Sequence, residues 1–332
     1  MLFANALAHF LVDAVCAAAM FGSGADNLVP VLLLYNTMAF STQCLVGLLT
    51  DETGGHTRIT ACSCACVALG FFLPLPPMMK AAVVGMGNSF FHVAAGTVTL
   101  RRSGGKAAPL GLFVAPGSVG LMFGTLFPRY GRGFAGVLLL CAVGFLWKGW
   151  DCRGEETPAH VRTPRWGGLL ATLLLVAIAA RAIGGSAVVF PWKTGATLSV
   201  VTALCVFAGK AAGGYVCDKF GAGKTALLSL PLAALLIAYG ASFMPPSLLG
   251  QFLLNLTMPV TLWLIYRCLP DSPGFAFGLA ASALWPGTIA GQLIGAAGAA
   301  ATVWLIVCFL FGLAAILYAS NKMKGEGHEK NL

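Results

Sequence analysis

The sequence predicts an all-α membrane protein of twelve transmembrane helices in two pseudo-symmetric six-helix bundles. Two observations carry that prediction. Hydrophobic residues make up 58% of the 332 residues and charged residues 9%. A water-soluble chain carries about 25% charged residues, so a surface of this composition needs a bilayer to solvate it. The second observation is a pattern written twice. G-x-x-x-D-x-x-G occurs at Gly47, Asp51 and Gly54 and again at Gly214, Asp218 and Gly221, 167 residues apart, each copy joining two long apolar segments.

A spanning helix needs about 20 apolar residues. Twelve runs serve: 3–21, 28–50, 59–75, 77–100, 107–127, 133–149, 167–187, 195–216, 225–243, 246–268, 274–298 and 300–319. The first carries His9 and Asp13, lacks a basic leader and meets no small-residue cleavage site, so it reads as a spanning helix and not a signal peptide. Most connections are short. The longer one is rich in charge, contains Pro158 and Pro164 and falls mid-chain. The expected organisation is therefore a six-helix bundle over 1–149, a cytoplasmic linker over 150–166, a second bundle over 167–320 and a cytoplasmic tail over 321–332, too short and polar to fold.

Lys and Arg set the orientation. Fourteen of the 20 fall on the side of the termini and linker; Lys80, Arg129, Arg132 and Lys193 fall on the other; Arg181 and Lys210 lie within helices. Both termini are thus expected in the cytoplasm. The net charge of +9 then reflects topology and attraction to anionic lipid, and a nucleic-acid partner has no support. The 11 cysteines lie almost all in apolar stretches. Cys62, Cys64 and Cys66 read as small buried hydrophobes, with neither a metal site nor a disulfide framework expected.

The halves align further. Asn88 and Asn255 are 167 apart, Pro116-Gly117 and Pro286-Gly287 are 170 apart, and Asp13 and Arg181 are 168 apart. Several features near one offset favour an ancestral repeat.

On these residues the chain resembles the major facilitator superfamily. Its loop pattern, G-x-x-x-D-(R/K)-x-G-(R/K)-(R/K), is matched by Gly47, Asp51 and Gly54, with Glu52 departing from the usual base, and more fully by Gly214, Asp218, Lys219, Gly221 and Lys224. A closer resemblance is to the fosmidomycin-resistance branch, through His9-x-x-x-Asp13 and through Gly85-Met86-Gly87-Asn88-Ser89-Phe90-Phe91-His92. Val93-Ala94 here replaces the branch's Pro-Glu. The resemblance implies the major facilitator fold and a monomer. It places helices one, four, seven and ten, and with them Asp13, His92, Arg181 and Asn255, around one central cavity.

A charge at bilayer depth costs about 2.5–3.5 kcal/mol and usually faces a cavity or a partner. Asn5, His9 and Asp13 share a face of the first helix, Asn88 and His92 a face of the fourth, and Asn36 and Gln43 a face of the second. Asp13 and His92 are proton-carrying candidates. Arg181 presents a planar fork suited to a carboxylate or phosphonate. An Asp13–Arg181 salt bridge that only holds the halves together is the alternative. For His9, helix packing is favoured over chemistry. Lys210 is a second anion contact or, in the slightly favoured reading, a snorkelling side chain. Asp51 and Asp218, at helix ends, suit a latch that pairs with a neighbouring helix N-terminus, stabilises an outward-facing state and breaks for inward opening. Pro116-Gly117, Pro259 and Pro286-Gly287 are candidate mid-helix hinges.

These features together predict a secondary transporter: alternating access, a small, anionic organic solute, an ion gradient (protons favoured), no cofactor, and no catalysis. Efflux is slightly favoured over uptake. A membrane-embedded enzyme or sensor is the other class. It lacks an H-E-x-x-H, a G-x-S-x-G or a sizeable extramembrane domain to support it. Gly221-Ala222-Gly223-Lys224-Thr225 is no phosphate loop, because Asp218 stands where the first glycine is required.

Overall fold

The computed structural model describes residues 1–148, 163–295 and 300–328. Most of the expected linker, the end of the eleventh run and the last four residues therefore lie outside the described residues. Among those described there is no strand. Fourteen α-helices succeed one another: α1 (Leu2–Phe21), α2 (Leu28–Asn36), α3 (Gln43–Thr53), α4 (His56–Phe72), α5 (Pro77–Arg101), α6 (Ala108–Leu126), α7 (Gly131–Lys148), α8 (Gly167–Ser186), α9 (Gly195–Phe220), α10 (Ala222–Gly240), α11 (Met244–Cys268), α12 (Pro273–Ser282), α13 (Leu284–Gly295) and α14 (Ala300–His328). Two pairs form single spans, Leu28–Thr53 from α2 and α3 and Pro273–Ile294 from α12 and α13. Eleven helices among the described residues are long and apolar enough to cross a membrane, and α4, with 17 residues, is a shorter apolar helix. Large apolar side chains such as Phe3, Leu140, Trp147 and Leu293 stay exposed, which only a lipid solvent tolerates. The chain is a multi-pass membrane protein.

Contacts divide the chain into two compact units. The first comprises Met1–Gly104, Leu112–Glu156 and Ser272–Ser282; the second comprises Gly105–Gly111, Thr157–Asp271 and Ala283–Leu332. Each unit thus contains one short segment from a distant part of the chain. The packing schemes repeat. In the first unit α1 packs on α5, α4 packs on α5 and α7, and α2 and α3 pack on α5. In the second α8 packs on α11, α10 packs on α11 and α14, and α9 packs on α11. Glycines permit the closest crossings. Gly120 and Gly124 of α6 press on the backbone of α1 at Phe10 and Ala14, and Gly287 and Gly291 of α13 press on α8 at Ala179 and Ile183. A Cβ at any of these four positions would collide with a main-chain oxygen.

Four sequence expectations change. The second and eighth runs, expected to end at 50 and 216, continue as helix to Thr53 and Phe220, so Asp51 and Asp218 lie within the last helical turn and not in a gating loop beyond it. Only the last glycine of each motif leaves the helix. Gly54 has φ 64° and Gly221 φ 85°, a positive-φ extended backbone that ends the helix and that glycine alone adopts readily.

Second, the second span is not one regular helix. Thr37–Ser41 forms a π turn, whose extra residue rotates the remainder of the span about its axis. Asn36 and Gln43 therefore lose the shared face that regular spacing gives them. Gln43 is fully buried and donates to its own helix at Ala39 O (2.7 Å), while Asn36 is half-buried.

Third, the eleventh span breaks at Ala283, where α12 stops and α13 begins, so Pro286 sits in the first turn of α13 and not mid-helix. A proline has no N–H to donate and its ring clashes with the carbonyl four residues earlier, which here is Ser282. Pro116, Pro231 and Pro259 do lie inside helices.

Fourth, the polar tail continues α14 as far as His328. Lys and Glu are good helix formers, and the preceding turns supply the nucleus.

The π turn and the break are joined by one hydroxyl. Ser282 Oγ accepts from Cys44 N–H (3.1 Å) and donates to Phe40 O (2.9 Å). Cys44 and Phe40 are the i and i−4 partners of an ordinary helical bond, so Ser282 is inserted into the ladder, a recognised cause of local helix distortion. Ser282→Ala should expose both backbone groups, lower the thermal midpoint by the equivalent of about 1–2 kcal/mol and speed amide exchange at Cys44. Ser118→Ala, whose hydroxyl bonds only its own helix at Ala115, should do neither.

Candidate functional site

In the first unit a polar cluster forms where α1, α5 and α6 meet. Asp13 is the twelfth residue of α1, and His9 lies one turn before it. The helical spacing of four sets both on one face, as it does Asn88 and His92 on α5. His9 Nε2 lies 3.3 Å from Asp13 Oδ2, and His92 Nε2 lies 3.7 Å from Asp13 Oδ1. Asn88 Nδ2 donates to Asp13 Oδ1 at 3.1 Å and approaches Cys16 Sγ at 3.7 Å. The two imidazole Nε2 atoms are 2.8 Å apart, with the rings edge to face. Each Nδ1 faces a backbone carbonyl: His9 that of Phe113 at 2.7 Å, His92 that of Asn88 at 2.9 Å.

The surroundings hold this geometry. Phe91 and Phe113 are fully buried against the imidazole of His9, and Phe277 packs tilted against Phe113. Gly117 is directly against the cluster, since a Cβ there would overlap Asp13 Oδ2 and His9 Nε2. Pro116, one residue earlier, lacks the N–H that would bond the carbonyl of Leu112, the neighbour of the Phe113 carbonyl that receives His9. Asn5, expected on the same face, instead donates to Ala95 O (3.3 Å) and Thr99 Oγ1 (3.4 Å) of α5 and ties the two helices together.

His9, Asp13 and His92 offer ligand atoms within 4.8 Å of one another, the donor set of a metal site. Two imidazoles on one tetrahedral zinc, with Zn–N of about 2.05 Å, stand about 3.3 Å apart. The observed 2.8 Å is a hydrogen-bond separation.

In the second unit Arg181 is the fifteenth residue of the 20-residue α8, nearer its C-terminal end than the centre. It is half-buried, and Nη1 donates to Thr257 Oγ1 of α11 at 3.3 Å. Asn255, half-buried, donates to Gln251 O of its own helix at 2.8 Å. Lys210 is half-buried on α9, and Gly111 lies against its carbonyl. The duplicated asparagines have thus diverged: Asn88 holds Asp13, while Asn255 folds back on α11.

The repeated motif has one geometry in both copies. Asp51 Oδ1 and Oδ2 accept from Gly274 N (2.9 Å) and Phe275 N (2.8 Å), at the start of α12. Asp218 Oδ1 and Oδ2 accept from Ala107 N (2.7 Å) and Ala108 N (3.0 Å), at the start of α6. The first glycine of each motif makes the approach possible, since Gly47 lies against the backbone of Gly274 and Phe275 and Gly214 against that of Ala107 and Ala108. A carboxylate satisfies two otherwise unused helix-start N–H groups and complements the helix dipole. The partners are again 167 residues apart, 107 with 274 and 108 with 275, a regularity present in the numbering but meaningless until the fold pairs them. Sequence reading also missed the Phe113 carbonyl, Thr257 and Cys16, since a backbone acceptor or an apolar-looking side chain carries no chemical signal in a string.

Asp218→Ala should strand the amides of Ala107 and Ala108, lower stability by about 1–3 kcal/mol and accelerate their hydrogen exchange. Asp51→Ala should do the same at Gly274 and Phe275.

No family model and no curated protein matches the chain. Solved structures do. A variant of the fucose:proton symporter FucP of E. coli is similar with a TM-score of 0.71 at 13% identity, over 96% of this chain and 98% of that one. FucP in an outward conformation, described as a major facilitator superfamily transporter, is similar with a TM-score of 0.69 at 14% identity, over the same shares. The fold of this chain is therefore the major facilitator fold.

Proposed function

We propose that the chain is a secondary active transporter of the major facilitator superfamily. It moves a small, anionic organic solute across the cytoplasmic membrane by alternating access and is coupled to protons. The observation that carries this reading is the cluster of His9, Asp13, Asn88 and His92, an acid and two bases in mutual contact within helices long and apolar enough to cross a membrane. Such groups at bilayer depth are functional by default, and imidazole exchanges protons near neutral pH. Similarity in fold to a fucose:proton symporter supports the same assignment.

Arg181 is the anion contact, with a guanidinium that keeps donors beyond its bond to Thr257. Lys210 and Asn255 assist it. Alternating access of the halves 1–149 and 167–320 calls for the bidentate contacts of Asp51 and Asp218 to act as latches that release in each cycle. Pro116-Gly117, Pro259 and the break before Pro286 supply flexible points. The protein is a monomer with both termini cytoplasmic, as the Lys and Arg distribution favours.

Direction has two readings. The His9-x-x-x-Asp13 pattern and the 85–92 stretch, shared with the fosmidomycin-resistance branch, favour efflux by exchange for protons. The fold shared with a symporter favours uptake. Proteoliposomes with a pH gradient imposed in either sense separate them, since exchange accumulates solute against the proton flow and symport along it.

Asp13→Asn should abolish proton-driven flux while the protein still inserts and elutes as a folded species; proton dependence unchanged in that variant would remove Asp13 from the mechanism. Arg181→Ala should weaken binding of phosphonates and carboxylates at least tenfold in a thermal-shift screen and leave cationic compounds unaffected. Equal loss for both charge classes would remove Arg181 from solute recognition.

A further inference from the structure

The proton inventory of the cluster leads to a definite state. A backbone carbonyl only accepts hydrogen bonds. The contacts of His9 Nδ1 with Phe113 O and of His92 Nδ1 with Asn88 O therefore each require a hydrogen on Nδ1. A neutral imidazole has one N–H, so in two neutral rings both Nε2 atoms would carry lone pairs. Yet these atoms face each other at 2.8 Å. Two lone pairs repel at that distance, whereas one proton between them makes a hydrogen bond.

We propose that His9 and His92 bind a single proton jointly, as an imidazole–imidazolium pair with Asp13 as its counter-ion, and that this pair is the coupling-proton site. The proposal rests on the transporter reading and assigns the proton within it. It also gives His9 a role equal to that of His92.

The charges support the assignment. The shared proton gives the two rings one positive charge, and the Asp13 carboxylate, 3.3 Å and 3.7 Å from the two Nε2 atoms, balances it. The bond donated by Asn88 is compatible with the ionised, acceptor-only form of Asp13. The loaded cluster is thus neutral in an apolar surrounding. Loss of the proton leaves a carboxylate facing two lone pairs, with net charge −1, and removes the histidine–histidine bond between α1 and α5. The empty state therefore favours separation of the rings. Among the described residues the other titratable groups beside the cluster are Cys16 on α1 and Tyr35 on α2, with Cys66 on α4 next to Cys16, two thiols and a phenol. α6 contributes the Phe113 carbonyl and Gly117, and α12 the ring of Phe277. None of these supplies a second counter-ion to the pair.

The test is a pH titration of the full-length wild-type protein in nanodiscs, labelled with 15N-histidine, with the five histidines assigned by single substitution. The Nε2 signals of His9 and His92 should move together in one step that releases one proton per molecule. In His9→Asn and His92→Asn that joint step should vanish and the remaining ring should titrate alone. Two independent steps in the wild type would overturn the proposal. So would a stoichiometric Co2+ absorption band dependent on both histidines, since a metal ion would then occupy the gap. Proton-driven flux measured on the same preparation separates the two readings. A joint step without flux sinks the transport assignment alone, and flux with independent steps sinks the shared proton alone.

Discussion

Hydrocarbon offers no hydrogen bonds, so each backbone group that a helix leaves unused must find its partner within the protein. Much of the irregular chemistry in this chain answers that demand. Asp51 and Asp218 take up the first amides of α12 and α6. Ser282 stands between Cys44 and Phe40 where a helical bond has opened. The two histidines are oriented by carbonyls of Phe113 and Asn88, and it is this orientation that turns their remaining nitrogens toward each other. The site is in this sense built from backbone as much as from side chains: the Phe113 carbonyl of α6 supplies an acceptor, and Gly117 beside the cluster supplies the room.

Duplication explains the scaffold, and divergence the chemistry. Both units use glycine to bring a helix start against a helix end, and both place an aspartate four residues later to receive it. At the equivalent intramembrane positions the units differ. Asp13 and Arg181 carry opposite charge, and Asn88 reaches across to α1 while Asn255 does not leave its own helix. One unit thus carries an acid–base cluster and the other a cation at the equivalent position; under the proposed reading the first serves the driving ion and the second the solute.

The fold class was legible because bilayer solvation leaves a coarse mark, long apolar runs with short polar interruptions, and because the motif recurs at a fixed offset. The pairing of His9, Asp13, Asn88 and His92 was half legible: spacing put each pair on one face, but nothing local said that the faces meet. His9 looked like a packing residue because its partners, a carbonyl of α6 and a ring of α5, are 104 and 83 residues away. The π turn was invisible for the same reason. The group that fills its opened ladder is Ser282, more than 200 residues distant, acting through the backbone. The break at Ala283 was misplaced to Pro286 because a proline disrupts the helix before itself rather than at itself. The helical end of α14 was missed because polar residues were equated with disorder, although they are good helix formers once a helix precedes them.

The two aspartate contacts differ in one respect that the finished structure conceals. Asp218 binds amides 110 and 111 residues earlier in the chain, whereas Asp51 binds amides 223 and 224 residues later. A ribosome delivers residues in order. When Asp218 emerges, its partner has long been made and inserted. When Asp51 enters the bilayer interface, its partner does not yet exist, and must wait for most of the remaining protein to be translated. Until then the end of α3 carries an unanchored carboxylate and the glycine beside it lies open. The nascent chain thus passes through a long interval with one anchor point unfilled, whereas the second motif closes as soon as it is made.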